Sequence, residues 1–163
     1  MLILTSREAL QDMLDGQFAS VKTTHALEYY KNHCEFLGYT VEETEEFSIY
    51  CRHSRKDALR LILLNRGAGV MAQIIYGFPK HLHHDLNALY MYANDLNGMF
   101  YFMKAYVRIF DDNPPALFFT SVFEGDYNRQ NFAVFLENIY EDMDKWANYL
   151  KTADLWRSPD ENS

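Results

Sequence analysis

The sequence predicts an α+β domain, an antiparallel five-stranded sheet with helices packed on it in the order α-α-β-β-β-α-β-β-α. Three observations predict it. Apolar residues recur at helical spacing in some segments and alternate in others. The alternating segments come in runs of three and two, which argues against the alternative, a doubly wound parallel sheet. The connections between them carry Gly, Pro, Asp and Asn.

Taken in order, residues 6–19 read as a first helix, with Thr5 and Glu8 at capping-box spacing. Thr23 or Thr24 caps a second, whose stripe is Leu27, Tyr30, Cys34 and Leu37, and Gly38 stops it. Strands are expected at about 47–53, 58–65 and 70–77. In the first, Phe47, Ile49 and Cys51 alternate with Ser48, Tyr50 and Arg52. Arg66-Gly67-Ala68-Gly69 joins the second and third as a hairpin. Pro79 opens a third helix with the stripe Leu82, Leu86, Leu89, Tyr90, Ala93 and Leu96, ended by Asn97-Gly98. Strands at 100–110 and 116–124 flank the turn Asp111-Asp112-Asn113-Pro114-Pro115. A last helix starts near Asn128. Phe132, Phe135, Leu136, Ile139, Met143, Trp146 and Leu150 line one side of it, and Glu137, Glu141, Asp142 and Lys145 face away. Residues 1–157 form a single domain on this reading, with 1–20 an extra N-terminal helix and 158–163 a frayed tail.

An apolar fraction of 48% in 163 residues is enough to build one core and excludes intrinsic disorder. The formal charge of −8, with scattered Lys and Arg, argues against a nucleic-acid or anionic-membrane partner. No run approaches the length of a membrane span. The start, MLILTSREALQDML, lacks a basic n-region and has an apolar stretch of only four residues, so no signal peptide is expected. Cys34 and Cys51 lie on different expected elements without metal or redox spacing. They read as reduced, packed thiols of a cytoplasmic protein.

Three stretches carry a resemblance. Gly38-Tyr39-Thr40-Val41-Glu42 ends a helix, Asn94-Asp95-Leu96-Asn97 runs from the central helix into a long hairpin strand, and Gly125-Asp126-Tyr127-Asn128 opens the last helix. With the order of elements, they make residues 22–150 resemble the YbjN-like proteins, which share a fold with the chaperones of type III secretion systems. The aromatic hairpin and the segment 1–20 depart from that pattern. The resemblance implies a small acidic dimer that handles another protein or regulates. It transfers no catalytic residue and no cofactor.

Candidate chemistry is sparse. In His81-Leu82-His83-His84-Asp85, a helix would set His81 one turn from Asp85 and near His84. This is the basis for an alternative function as a metal- or small-molecule-binding protein with a site between sheet and helices. A zinc site takes three or four ligands, and first-turn polar residues explain the run as well. Gly67-Ala68-Gly69 lacks the helix a phosphate loop needs. Glu42-Glu43-Thr44-Glu45-Glu46 reads as a solvated connection, and no Gly-x-Ser-x-Gly occurs. No catalytic, cofactor or metal residue is therefore assigned, and the chain is expected not to be an enzyme.

The hairpin is more informative. Alternation places Tyr101, Met103, Ala105, Val107 and Ile109 on one face and Phe100, Phe102, Lys104, Tyr106, Arg108 and Phe110 on the other. Aromatics interleaved with cations do not resemble a freely solvated sheet face. Either a helix of the same chain covers it, the N-terminal one or the last, or it is a partner or dimer surface. The expected function is a non-enzymatic protein-binding module, chaperone-like or regulatory, with the net negative charge steering it towards a basic partner.

Overall fold

The computed structural model describes residues 26–64 and 68–157, the side chains of residues 43–45 excepted. The expected helix at 6–19, the caps at Thr23 or Thr24, part of the hairpin turn at Arg66-Gly67, and the tail lie outside the described residues. The observed fold is α+β on an antiparallel sheet, as the sequence predicts. The sheet has six strands, β1 (Thr40–Glu45), β2 (Ser48–Arg52), β3 (Leu59–Leu63), β4 (Gly69–Gly77), β5 (Lys104–Arg108) and β6 (Ala116–Glu124). Their order across the sheet is β1-β2-β3-β4-β6-β5. The helices are α1, helical over 26–36, α2 (Leu86–Met99), α3 (Arg129–Asn148) and α4 (Leu150–Trp156). No described helix is long and apolar enough to cross a membrane.

The chain divides into two compact units. The first holds residues up to Met71 together with Glu124–Asn128, and the second holds Ala72–Phe123 and the residues from Arg129 onward.

In the first unit, α1 buries Leu27, Tyr30 and Cys34 of the stripe read from its spacing, while Leu37, past the last helical residue, is half-buried. Gly38, at φ +89°, ends it in a Schellman turn. Tyr39 N–H bonds the Cys34 carbonyl and Gly38 N–H bonds the Glu35 carbonyl, both at 3.0 Å. The chain then runs directly into β1, antiparallel to β2 with Val41 opposite Cys51. The glutamate-rich stretch is therefore an edge strand and not a connection, which is why the sheet has six strands and not five. Its register shifts between Glu43 and Glu45. A charged, bulged edge resists pairing with a foreign strand, so polarity here marks position in the sheet and not its absence. Cys34 and Cys51 are both free and fully buried, and they meet. The hydrogen bond with Cys34, and then burial, push the Cys51 thiol far up and keep it protonated.

In the second unit, α3 lays Phe132, Phe135, Leu136, Ile139, Met143 and Trp146 into the core. Phe132 stands 5.5 Å from Phe123 of β6 and 5.8 Å from Phe135, ring centre to ring centre. Trp146 packs on Tyr76 of β4 at 4.5 Å and on Phe119 of β6 at 5.4 Å. Two expectations for this helix fail. Leu150 is 81% exposed, because α3 ends at Asn148 and α4 begins a new direction. Asp142, expected to face away, is fully buried.

The central helix also differs from its expected form. A 3-10 turn, Lys80–Leu82, follows Pro79, and α2 starts only after Asp85, whose carboxylate accepts from Ala88 N–H at 3.1 Å as its N-cap. It buries Leu89, Tyr92, Ala93 and Leu96 and leaves Leu86 and Tyr90 exposed. Tyr92 displaces Tyr90 from the core because its hydroxyl finds partners there. It accepts from Trp146 Nε1 at 2.9 Å and is hydrogen-bonded to Thr152 Oγ1 of α4. Gly98 stays helical, and Phe100 caps the end in an extended conformation.

Candidate protein-binding site

The site is built on the short segment between α2 and β5. Residues 100–103, expected to continue the strand, do not pair in the sheet. Their backbone N–H groups go elsewhere. Tyr101, Phe102 and Met103 all donate to the carboxylate of Asp142, at 3.2, 2.7 and 2.9 Å. Lys145 Nζ also reaches Asp142, at 3.1 Å, and lies 3.9 Å from the centre of the Tyr101 ring. Burial alone would raise the Asp142 pKa. The three N–H groups and the Lys145 ammonium outweigh it and hold the carboxyl below its usual range. Asp142 thus fixes a tight turn that presents Tyr101 and Phe102 outward.

Asn97, in the last turn of α2, fastens the next step. Its side-chain amide donates to the Ala105 carbonyl and its oxygen accepts from Ala105 N–H, both at 2.8 Å. A strand edge offers such groups to a pairing chain, and Asn97 occupies both of them at Ala105. The outer edge of the sheet is therefore closed over 101–105 by side chains from α2 and α3. Beside it opens a cavity of about 580 Å³ lined by Asn97 and residues 101–106.

Of the surface expected from the sequence, Phe102 and Tyr106 are each 40% exposed, Arg108 is exposed and Phe110 half-buried. Phe100 is not on that surface. Only 8% exposed, it packs 5.7 Å from Phe119, because the Asp142 turn breaks the alternation before β5 begins. Tyr101, expected on the core-facing side, is 78% exposed for the same reason. Along β5 the alternation holds for Ala105, which is buried, against Lys104, Tyr106 and Arg108, which are exposed. Tyr106 stacks on Phe118 at 5.4 Å, and the Arg108 guanidinium lies over Phe110 and Phe118 at 5.2 and 5.8 Å. The last helix packs on the opposite side of β6, through Phe119 and Phe123, and does not cover this strip. The N-terminal helix, the other expected cover, lies outside the described residues.

The histidine run forms no such centre. His81 lies on the 3-10 turn and His83, His84 and Asp85 follow it ahead of α2, so the helical spacing of His81, His84 and Asp85 is lost. Asp85 is taken by its cap, and a His83 ring nitrogen lies 2.8 Å from the Phe78 carbonyl oxygen. Among the described residues no three His, Cys, Asp or Glu side chains gather as a metal site.

No family model matches the chain, and no curated protein matches it in sequence. Among solved structures, YbjN from E. coli, described as "a putative transcription regulator", superposes over 72% of this chain and 84% of its own. The TM-score is 0.59 and the identity 15%. The fold is YbjN-like. Within this YbjN-like fold the three stretches that carried the resemblance all sit at joints between elements. Gly38 closes α1, Asn97 ties the end of α2 to β5, and Gly125, at φ +87°, turns the chain from β6 towards α3. At 15% identity the likeness is one of architecture, so the roles of Asn97 and Asp142 rest on the geometry of this chain.

Proposed function

We propose that this chain is a non-enzymatic protein-binding module, regulatory or chaperone-like, working as a homodimer in the cytoplasm. The observation that carries the reading is the exposed aromatic rim of Tyr101, Phe102 and Tyr106 around an open cavity. Rigid aromatics beside a cavity are the groups on which interface affinity concentrates. The polar groups that converge there, Asn97 and Asp142, are engaged by backbone and act as scaffold. The description of the E. coli neighbour as a regulator agrees with this class of function. Two free buried cysteines suit a reducing compartment.

For the dimer, the exposed face of α2 is the suited surface. It offers Leu86, Asn87, Tyr90, Met91 and Asn94 and no charge. The single charged residue of α2, Asp95, is paired with Lys151 at 2.6 Å. Two chains of formal charge −8 approach most readily through such a neutral face, repeated on both sides of a two-fold axis. Light scattering at micromolar concentration should give twice the chain mass of 19.2 kDa. Replacing Tyr90 and Met91 together by aspartate should return the monomer, and a wild-type monomer with no rise on concentration overturns the dimer.

The docking role is tested by affinity capture from native lysate. A partner enriched on the wild-type chain and lost on Tyr106→Ser is the expected result. No enrichment, or equal enrichment on both, counts against the reading.

A further inference from the structure

We propose that the β5 strip binds an extended acidic segment of a partner protein, with the pattern carboxylate-x-apolar-x-carboxylate. This rests on the protein-binding reading above and adds the partner's chemistry. Lys104, Tyr106 and Arg108 alternate on one exposed face of β5. Neither cation makes an ion pair among the described residues, whereas Arg52, Lys145, Lys151 and Arg157 each do. The chain carries 23 acids against 15 bases, so carboxylates are in excess, yet no described one pairs with either cation. Two cations flanking an exposed aromatic, without an ion pair among the described residues of an acidic protein, call for carboxylates from outside. Arg108 is already set for that role. A guanidinium stacked on rings, as this one is on Phe110 and Phe118, keeps its N–H edge available for a bidentate carboxylate.

The spacing gives the pattern. Lys104 and Arg108 are four residues apart on a strand, roughly 13 Å, with Tyr106 midway. A second extended chain lying along the strip repeats that interval, carboxylates at its positions one and five and an apolar side chain at three. Such a chain cannot add as a further strand over 101–105, because Asn97 and Asp142 hold the main-chain groups there. Recognition therefore runs through side chains, with the cavity beside Phe102 and Lys104 receiving the next apolar group. The net charge of −8 acts against an acidic partner only at long range, where salt screens it beyond about 8–10 Å. At contact the two cations decide. Two cations on a chain of this charge do not suffice to hold the dense phosphates of a nucleic acid.

The full chain is titrated, by fluorescence anisotropy, into short labelled peptides of repeating Glu-Ser-Phe-Ser, Gln-Ser-Phe-Ser and Lys-Ser-Phe-Ser, and into a single-stranded DNA oligonucleotide. The glutamate peptide should bind about tenfold or more tighter than the glutamine one, the size expected for two pairs at contact. The double variant Lys104→Glu, Arg108→Glu should reverse the order and favour the lysine peptide, an inversion that mere loss of structure does not produce. Equal binding of the three peptides, or a preference for lysine in the wild type, overturns the acidic partner and leaves the docking surface. An unchanged preference in the double variant overturns its siting on β5. Binding of no peptide overturns both readings, and tighter binding of the oligonucleotide overturns them in favour of nucleic acid.

Discussion

Replacing Phe132 by alanine should cost about 3–5 kcal/mol, the range for emptying an aromatic from a packed core. The ring is fully buried and touches aromatics on both sides, Phe123 from β6 and Phe135 from its own helix. The neighbours are held by the sheet and by α3, so they relax little into the space left. Against a total stability of about 5–15 kcal/mol, the loss is a large fraction. For a chain of this length it should lower the thermal midpoint by roughly 10 °C or more. Glu141→Ala is the matched control on the same helix. It removes only an exposed pair with Lys145, at 3.1 Å, of a type worth less than about 1 kcal/mol. Two variants melting together would mean that α3 is not docked through Phe132.

Asp142→Asn should cost about 2–4 kcal/mol, because an amide keeps one acceptor where three N–H groups and an ammonium now converge on two. Its effect has a pH signature that Phe132→Ala lacks. The folded carboxyl titrates below its unfolded counterpart. Its stabilisation is therefore complete above the ordinary carboxylate value near 3.9, and it drains away as the pH falls through the lower folded value. Wild type and variant should differ most at neutral pH and converge as the pH falls below the ordinary carboxylate range. Urea unfolding across that range reads the difference directly, and hydrogen exchange at Tyr101, Phe102 and Met103 should quicken in the variant. A difference that stays constant down to the acid end would show that the carboxylate is not the lock on this turn. Because the turn sets Tyr101 and Phe102 on the rim of the cavity, the variant should also weaken whatever docks there.

Much of the helix and strand pattern was legible because it depends on local periodicity. The stripe from Phe132 to Trp146 was readable from spacing, as were Ile49 and Cys51, which are buried, whereas Phe47 of the same alternating set is exposed because it lies in the turn before β2 begins at Ser48. The edge strand β1 was not, since solvent-facing glutamates look alike in a loop and on a sheet edge. What lay between α2 and β5 was misread for a different reason. Asp142 falls three and four residues from Ile139 and Trp146, on the buried stripe itself, and that position was the available signal of an internal role. A charge on an apolar stripe is tolerated only where partners await it, and those partners lie about forty residues away along the chain.

The sequence by itself determined the antiparallel α+β class, the order of the described elements apart from β1 and α4, and the aromatic, cationic character of the 100–110 segment, because each follows from residue type and spacing of two or of three to four. Tertiary structure alone decided which of those aromatics meet solvent. Asp142 and Asn97 take up backbone groups across the fold and turn Phe100 inward and Tyr101 outward. The requirement behind it is that a backbone N–H leaving one helix must find an acceptor before the next strand begins, and here distant side chains supply it.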